Sequence, residues 1–166
     1  MAALFFVLDY FSDVVSFAFG NYKISINSLP ILIVAVMCGA GWAAATGFVG
    51  SLLSQTLMYG FGPITLLWIL PWVAEGLIMG KLYVTFKRSL APWRLGAGVV
   101  LSSISVTLLN TLALVVQYIA YGVGKGLKTL LVIELPGRLA LAAVTAVVLT
   151  LLLPLIIIPL KKATKI

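Results

Sequence analysis

Between Lys23 and Glu75 the sequence runs fifty-one residues, 24–74, without a charged side chain. A spanning helix uses about 20 apolar residues, so this one stretch can cross a bilayer more than twice and far exceeds what a soluble core needs. Charge-free runs recur at residues 95–124 and 139–160, which confines nearly all of the four acidic and eleven basic residues to short intervals. The pattern predicts an all-α integral membrane protein whose 166 residues form a single transmembrane domain.

Composition agrees: 63% of residues are hydrophobic and the mean hydropathy is +1.21, well outside the globular range. At about 20 residues per span the length fits a bundle of six transmembrane helices with tight turns and no soluble domain, so any ATPase or catalytic module belongs to a separate chain. The breaks place the segments near residues 2–19, 29–40, 41–57, 63–83, 95–121 and 135–160. The second and third are too short to cross alone and read as a bent pair around Cys38-Gly39-Ala40-Gly41, where small residues allow close backbone approach. A five-span count, with one long tilted helix through Gly39 and Gly41, is the alternative.

The net charge of +7 would point to nucleic acid in a soluble protein; here the cations cluster at helix ends and set orientation instead. Lys81, Lys87, Arg88 and Arg94 share one interval without an acid, and Lys161, Lys162 and Lys165 follow the last apolar block, against Lys23, Lys125 and Lys128 in the opposite loops. Both termini are therefore expected in the cytoplasm of a multi-pass cell-membrane protein. With no histidine and the single Cys38, the commonest general base, a multi-cysteine metal site and an intrachain disulfide are missing. No cofactor or metal is expected, and enzyme function ranks last. The first residues carry no basic cluster, and Asp9 and Asp13 interrupt the apolar run, so they read as a first span and not as a cleaved signal peptide.

Two motif matches fail. Gly122-Val123-Gly124-Lys125-Gly126-Leu127-Lys128-Thr129 approaches a phosphate-binding loop, but Leu127 stands where glycine must precede the lysine, and no strand comes before it. Gly47 and Gly50 are too close for the helix-dimer spacing, and Gly50 with Ser54 is an ordinary small-residue packing pair.

Ionisable groups within a span are costly and become functional candidates. Asp9 and Asp13 lie one turn apart; they could bind a cation or relay protons, or Asp9 could hydrogen-bond a neighbouring helix while Asp13 sits at the interface. Glu75 has no base within one turn, so its partner comes from another helix, from a ligand or from its own protonation, and it is as well placed to face a partner subunit as a ligand. Glu134 and Arg138 are spaced for an ion pair, with Pro136 suited to a helix's first turn; alternatively the Arg138 fork grips a ligand carboxylate or heteroaromatic edge. Trp68, Trp72, Tyr59, Tyr118 and Tyr121 fall near the outer half, either as an interfacial belt or, for Trp68 and Trp72 on one face, as a stacking surface. Asn110 and Gln117, two turns apart, could orient such a ligand or join helices.

Three stretches resemble a known family, the substrate-binding S components of energy-coupling factor (ECF) vitamin transporters. They are Lys23-Ile24-Ser25-Ile26-Asn27-Ser28-Leu29-Pro30-Ile31-Leu32 with Cys38-Gly39-Ala40-Gly41-Trp42-Ala43-Ala44-Ala45-Thr46-Gly47; Leu109-Asn110-Thr111-Leu112 with Tyr121-Gly122, similar to the folate-type branch; and Leu135-Pro136-Gly137-Arg138. Ser54 departs from that branch, many of whose members carry an acid there, and the alanine motif of the first helix is partly visible as Ala2 and Ala3.

The resemblance implies a six-helix subunit of an ABC-type importer that captures a vitamin-like molecule, folate favoured, from outside. Its partners would be a transmembrane coupling subunit and two cytoplasmic ATPases, contacted through Ala2, Ala3 and Glu75, and it would bind no nucleic acid. Substrate contacts are expected from Asn21, Lys23, Tyr59, Trp68, Trp72, Asn110, Gln117 and Arg138. The rival expectation is a stand-alone ion- or proton-coupled carrier or channel using Asp9, Asp13 and Glu75.

Overall fold

The computed structural model describes residues 1–19, 26–122 and 126–164. They form six α-helices: α1 (Ala2–Phe19), α2 (Ser28–Met37), α3 (Ala40–Ser54), α4 (Thr65–Thr85), α5 (Pro92–Tyr121) and α6 (Leu135–Thr164). Among the described residues, Thr65–Thr85, Pro92–Tyr121 and Thr129–Ala163 are long and apolar enough to cross a membrane. The expected bent pair is present as α2 and α3. The chain reverses between them through Gly39, whose φ of +91° lies in the region that glycine enters without a Cβ clash.

Helix α2 is apolar on every side, with residues 30–36 all buried, as befits a helix enclosed by others. It packs on α1, α3, α4 and α6. Around it lie Met79 and Tyr83 of α4, Leu95 and Val99 of α5, and Leu149, Leu153 and Ile157 of α6, which recur every four residues and so share one stripe. Lipid is as apolar as these side chains, so their association rests on close packing more than on removal from water.

Packing is tightest between α3 and α4. A Cβ on Gly47 would collide with the Trp72 carbonyl group, and one on Gly76 with the Ala43 backbone. Of the two glycines read as a failed motif, Gly47 belongs to this seam and Gly50 faces α1. Phe5 of α1 covers Gly50 of α3 and meets Trp72 of α4 edge-on, so α1 rests across the pair.

Two expected loops are partly helical. The carboxy-terminal end of α3 continues as a π-helical turn, Gln55–Tyr59, before Gly60 reverses the chain at φ +80°. A second π-helical turn, Thr129–Glu134, leads into α6, so Pro136 lies within a continuous helix and not in its first turn. The physical reason is proline itself, whose ring displaces the carbonyl four residues back and supplies no N–H. The wide turn accommodates both, with the Leu135 N–H bonded to the Leu130 carbonyl five residues earlier.

Candidate functional site

A cavity of about 1040 Å³ opens at the end of the bundle where α4 and α6 begin, opposite Lys87, Arg88 and Lys161. The two π-helical turns lie at this end and line it through Gln55, Tyr59, Ile133 and Glu134. Such turns offset the helix and re-aim its side chains, and they recur at functional sites.

Each wall follows from helical spacing. On α4, Thr65, Trp68 and Trp72 recur at intervals of three and four; on α5, Ser103, Thr107, Asn110 and Gln117 do likewise; on α6, Arg138, Ala142 and Thr145 complete the ring. Helix α1 contributes Asp9 and Asp13. Trp72 is steadied by Phe5, with centroids 5.2 Å apart and planes at 77°, an edge-to-face arrangement favoured by the ring quadrupoles.

Both aspartates are anchored. The Asn27 side-chain amide, at the start of α2, donates to Asp9 at 2.7 Å inside the protein. The Tyr59 hydroxyl donates to Asp13 at 2.8 Å; partial desolvation and then this bond hold the phenol above its ordinary titration range, so it remains a donor. Across the cavity, Arg138 lies 3.7 Å from Glu134. The hydrogen-bonding reading of Asp9 and the ion pair of Glu134 with Arg138 are thus both present, and all four groups still face the cavity.

Of the residues expected to bind substrate, Tyr59, Trp68, Trp72, Asn110, Gln117 and Arg138 are brought together around this one space. Asn21 and Lys23 lie outside the described residues. Tyr118 is half-buried and Tyr121 exposed, and neither is among the lining residues. Sequence reasoning missed Ser28, Gln55, Thr65, Ser103, Thr107 and Thr145. The α5 hydroxyls could have been found, since Ser103 and Thr107 continue the face of Asn110 by whole turns; Ser28 and Gln55 carried no such signal.

The expected partner-contact residues divide. Ala3 is exposed and Ala2 half-buried, beside the open stripe of Leu4, Val7 and Phe11 on α1. Glu75 corrects the expectation: it is 0% exposed, because α4 is packed against α2, α3 and α5, and it cannot meet a partner at the surface. Its polar neighbour is the Ser28 hydroxyl, yet neither carboxyl oxygen makes a hydrogen bond of acceptable geometry among the described residues.

An apolar helical bundle whose large polar and aromatic cavity wall gathers residues from α1, α2, α4, α5, α6 and the two π-helical turns is the architecture of a membrane protein that holds a small molecule. Residues 1–161 match the family of the ECF transporter, substrate-specific component, and the chain belongs to that family. No curated protein gives a significant match to it. It is accordingly a transport and substrate-binding subunit and not an enzyme; such components bind a small substrate and work with a coupling subunit and ATPases. The stand-alone carrier is not favoured, and Glu75 does not join Asp9 and Asp13 in lining the cavity.

Proposed function

We propose that this chain is a six-pass subunit with both termini in the cytoplasm, and that the cavity between α1, α4, α5 and α6 captures a flat, vitamin-like nutrient from outside, folate or a related pterin foremost. Trp68 and Trp72 stack on its rings, while Tyr59, Asn110, Gln117 and Arg138 supply polar contacts, with Asn21 and Lys23 as further candidates. The α1 face that includes Ala2 and Ala3 docks on the transmembrane coupling subunit, which with two cytoplasmic ATPases supplies the energy.

One observation carries this reading: aromatic surface and orienting polar groups, contributed by four separate helices, converge on a single space large enough for a drug-sized molecule. The seven-to-three distribution of cations between the two sets of loops supports the orientation. The test is a panel of water-soluble vitamins added to purified protein in detergent, read by thermal shift and tryptophan quenching. Saturable protection by one of them is expected. No response to any member of the panel overturns the assignment of the cavity.

A further inference from the structure

The end of the bundle away from the cavity carries a charge that the chain does not balance. Of the four acids, Asp9, Asp13 and Glu134 line the cavity and Glu75 is fully buried. Lys81, Lys87, Arg88, Arg94, Lys161 and Lys162, at the end of α4, in the α4–α5 loop, at the start of α5 and at the end of α6, therefore share the opposite end without an exposed acidic side chain.

One run of contacts joins these elements. Lys161 donates to the Tyr83 hydroxyl at 2.8 Å, and that hydroxyl donates to the Arg88 carbonyl at 2.9 Å. The Phe86 carbonyl accepts from Arg94 at 3.2 Å, and the Arg94 guanidinium lies 5.0 Å from the centroid of the Trp93 ring, which itself packs beside Phe86. Lys161 and Arg94 keep further N–H donors beyond these bonds. Between them, the exposed Lys87 and Arg88 stand at φ +56° and +52°, a left-handed conformation that glycine or asparagine enters at less cost. The backbone is held there by the Lys87 N–H on the Val84 carbonyl and the Arg88 N–H on that of Tyr83. Strain maintained in this way clusters at functional segments, and here it presents two adjacent cations.

The surroundings of the cluster point to its counter-charge. On α4, Lys81 continues the exposed stripe of Leu70, Leu77 and Val84; on α6, Lys162 continues that of Leu151, Leu155 and Ile158. Trp93 is exposed at the start of α5. Apolar stripes open to lipid thus run into cations and an amphipathic ring, the arrangement met where acyl chains give way to headgroups.

We infer that this end holds the phosphate of an anionic phospholipid among Lys87, Arg88 and Lys161, with its acyl chains on the apolar surface beside them. The phosphate supplies the negative charge that the chain lacks there. A zwitterionic lipid, whose own ammonium neutralises its phosphate, supplies it poorly. The site is separate from the cavity and does not depend on what the cavity binds.

The test takes the intact protein purified in detergent and adds phosphatidylglycerol and phosphatidylcholine of matched chains in equal amounts. Retained lipid is read by native mass spectrometry and stability by thermal shift. Phosphatidylglycerol is expected to be retained over phosphatidylcholine by about tenfold or more, since each basic residue near an anionic headgroup contributes a severalfold gain, and the preference should fall as salt is raised. Arg88→Gln should cut the preference by about threefold or more, whereas Lys128→Gln, the same loss of charge at the cavity end, should keep it. Equal retention of the two lipids overturns the inference, as does an equal loss in the two variants, which would mark attraction to net charge alone. A thermal shift from inorganic phosphate equal to that from the lipid leaves a free-anion site and overturns the lipid. Indifference to lipid, with residues 86–94 protected from proteolysis only in the assembled transporter, gives the cluster to an acidic partner instead. Should Arg88→Gln fail to fold, the wild-type comparison and its salt dependence decide.

Discussion

Phe5 meets the indole of Trp72 edge-on while its own ring covers Gly50, so one side chain of α1 both seats that helix and fixes a wall of the cavity. Phe5→Ala should cost about 3–5 kcal/mol, the usual range for a buried phenylalanine, and free Trp72 to change rotamer. Phe5→Leu should cost clearly less. Thermal unfolding in detergent measures the loss; an Ala variant as stable as wild type would show that α1 is held elsewhere.

The four tryptophans separate into two pairs. Trp68 and Trp72 line the cavity, whereas Trp42 and Trp93, 71% and 67% exposed, begin α3 and α5 at the far end of the bundle. Ligand quenching should therefore survive Trp42→Phe and Trp93→Phe and fall sharply in Trp68→Phe or Trp72→Phe. Quenching that depends on Trp42 or Trp93 would move the ligand to the opposite end.

At the α3–α4 seam, Gly47→Ala is expected to destabilise by about 1–3 kcal/mol, because overpacking against backbone cannot be relieved by a rotamer change. Gly47→Leu should abolish monodisperse protein in size-exclusion chromatography. Gly41, with open space where a Cβ would stand, should accept alanine with no comparable loss.

Much of this was readable in the sequence. Charge-free lengths placed the helices, and Trp68, Trp72, Asn110, Gln117 and Arg138 stood out because a polar or aromatic group amid aliphatic residues has few structural excuses. Glu75 stood out equally and was assigned to the wrong setting, since hydropathy reports depth along a helix but not which neighbours enclose it. Ser28 and Gln55 were invisible for a related reason: their exposure to the cavity depends on a helix start and a π-helical turn that no periodicity announces.

Arg138 separates binding from stability. Its pair with Glu134 is 3.7 Å long, with side-chain exposures of 35% and 19%, and such partly exposed pairs contribute about 0–1 kcal/mol. Arg138→Gln should leave the melting temperature nearly unchanged. If the guanidinium holds an acidic group of the substrate, affinity should fall at least tenfold, in keeping with a charge-assisted bond of about 1.5–3 kcal/mol; an unchanged affinity would confine Arg138 to its neighbour.

Glu75→Gln replaces a buried acid, whose carboxyl oxygens have no hydrogen-bond partner among the described residues, by a neutral amide of the same shape. Removing an acid buried in the apolar interior should raise the melting temperature of the free protein or leave it unaltered. A large fall in stability would show that the acid has a structural partner.

Helix α2 has ten residues, about 15 Å at the α-helical rise and half of a hydrocarbon layer. It cannot dwell stably in lipid by itself, and half of the helices that enclose it, α4 and α6, are made later. Biosynthesis must therefore hold the amino-terminal third in a provisional arrangement until the carboxy-terminal hairpin arrives, so a nascent chain truncated before α6 should be a substrate for membrane quality control and not a smaller version of the bundle.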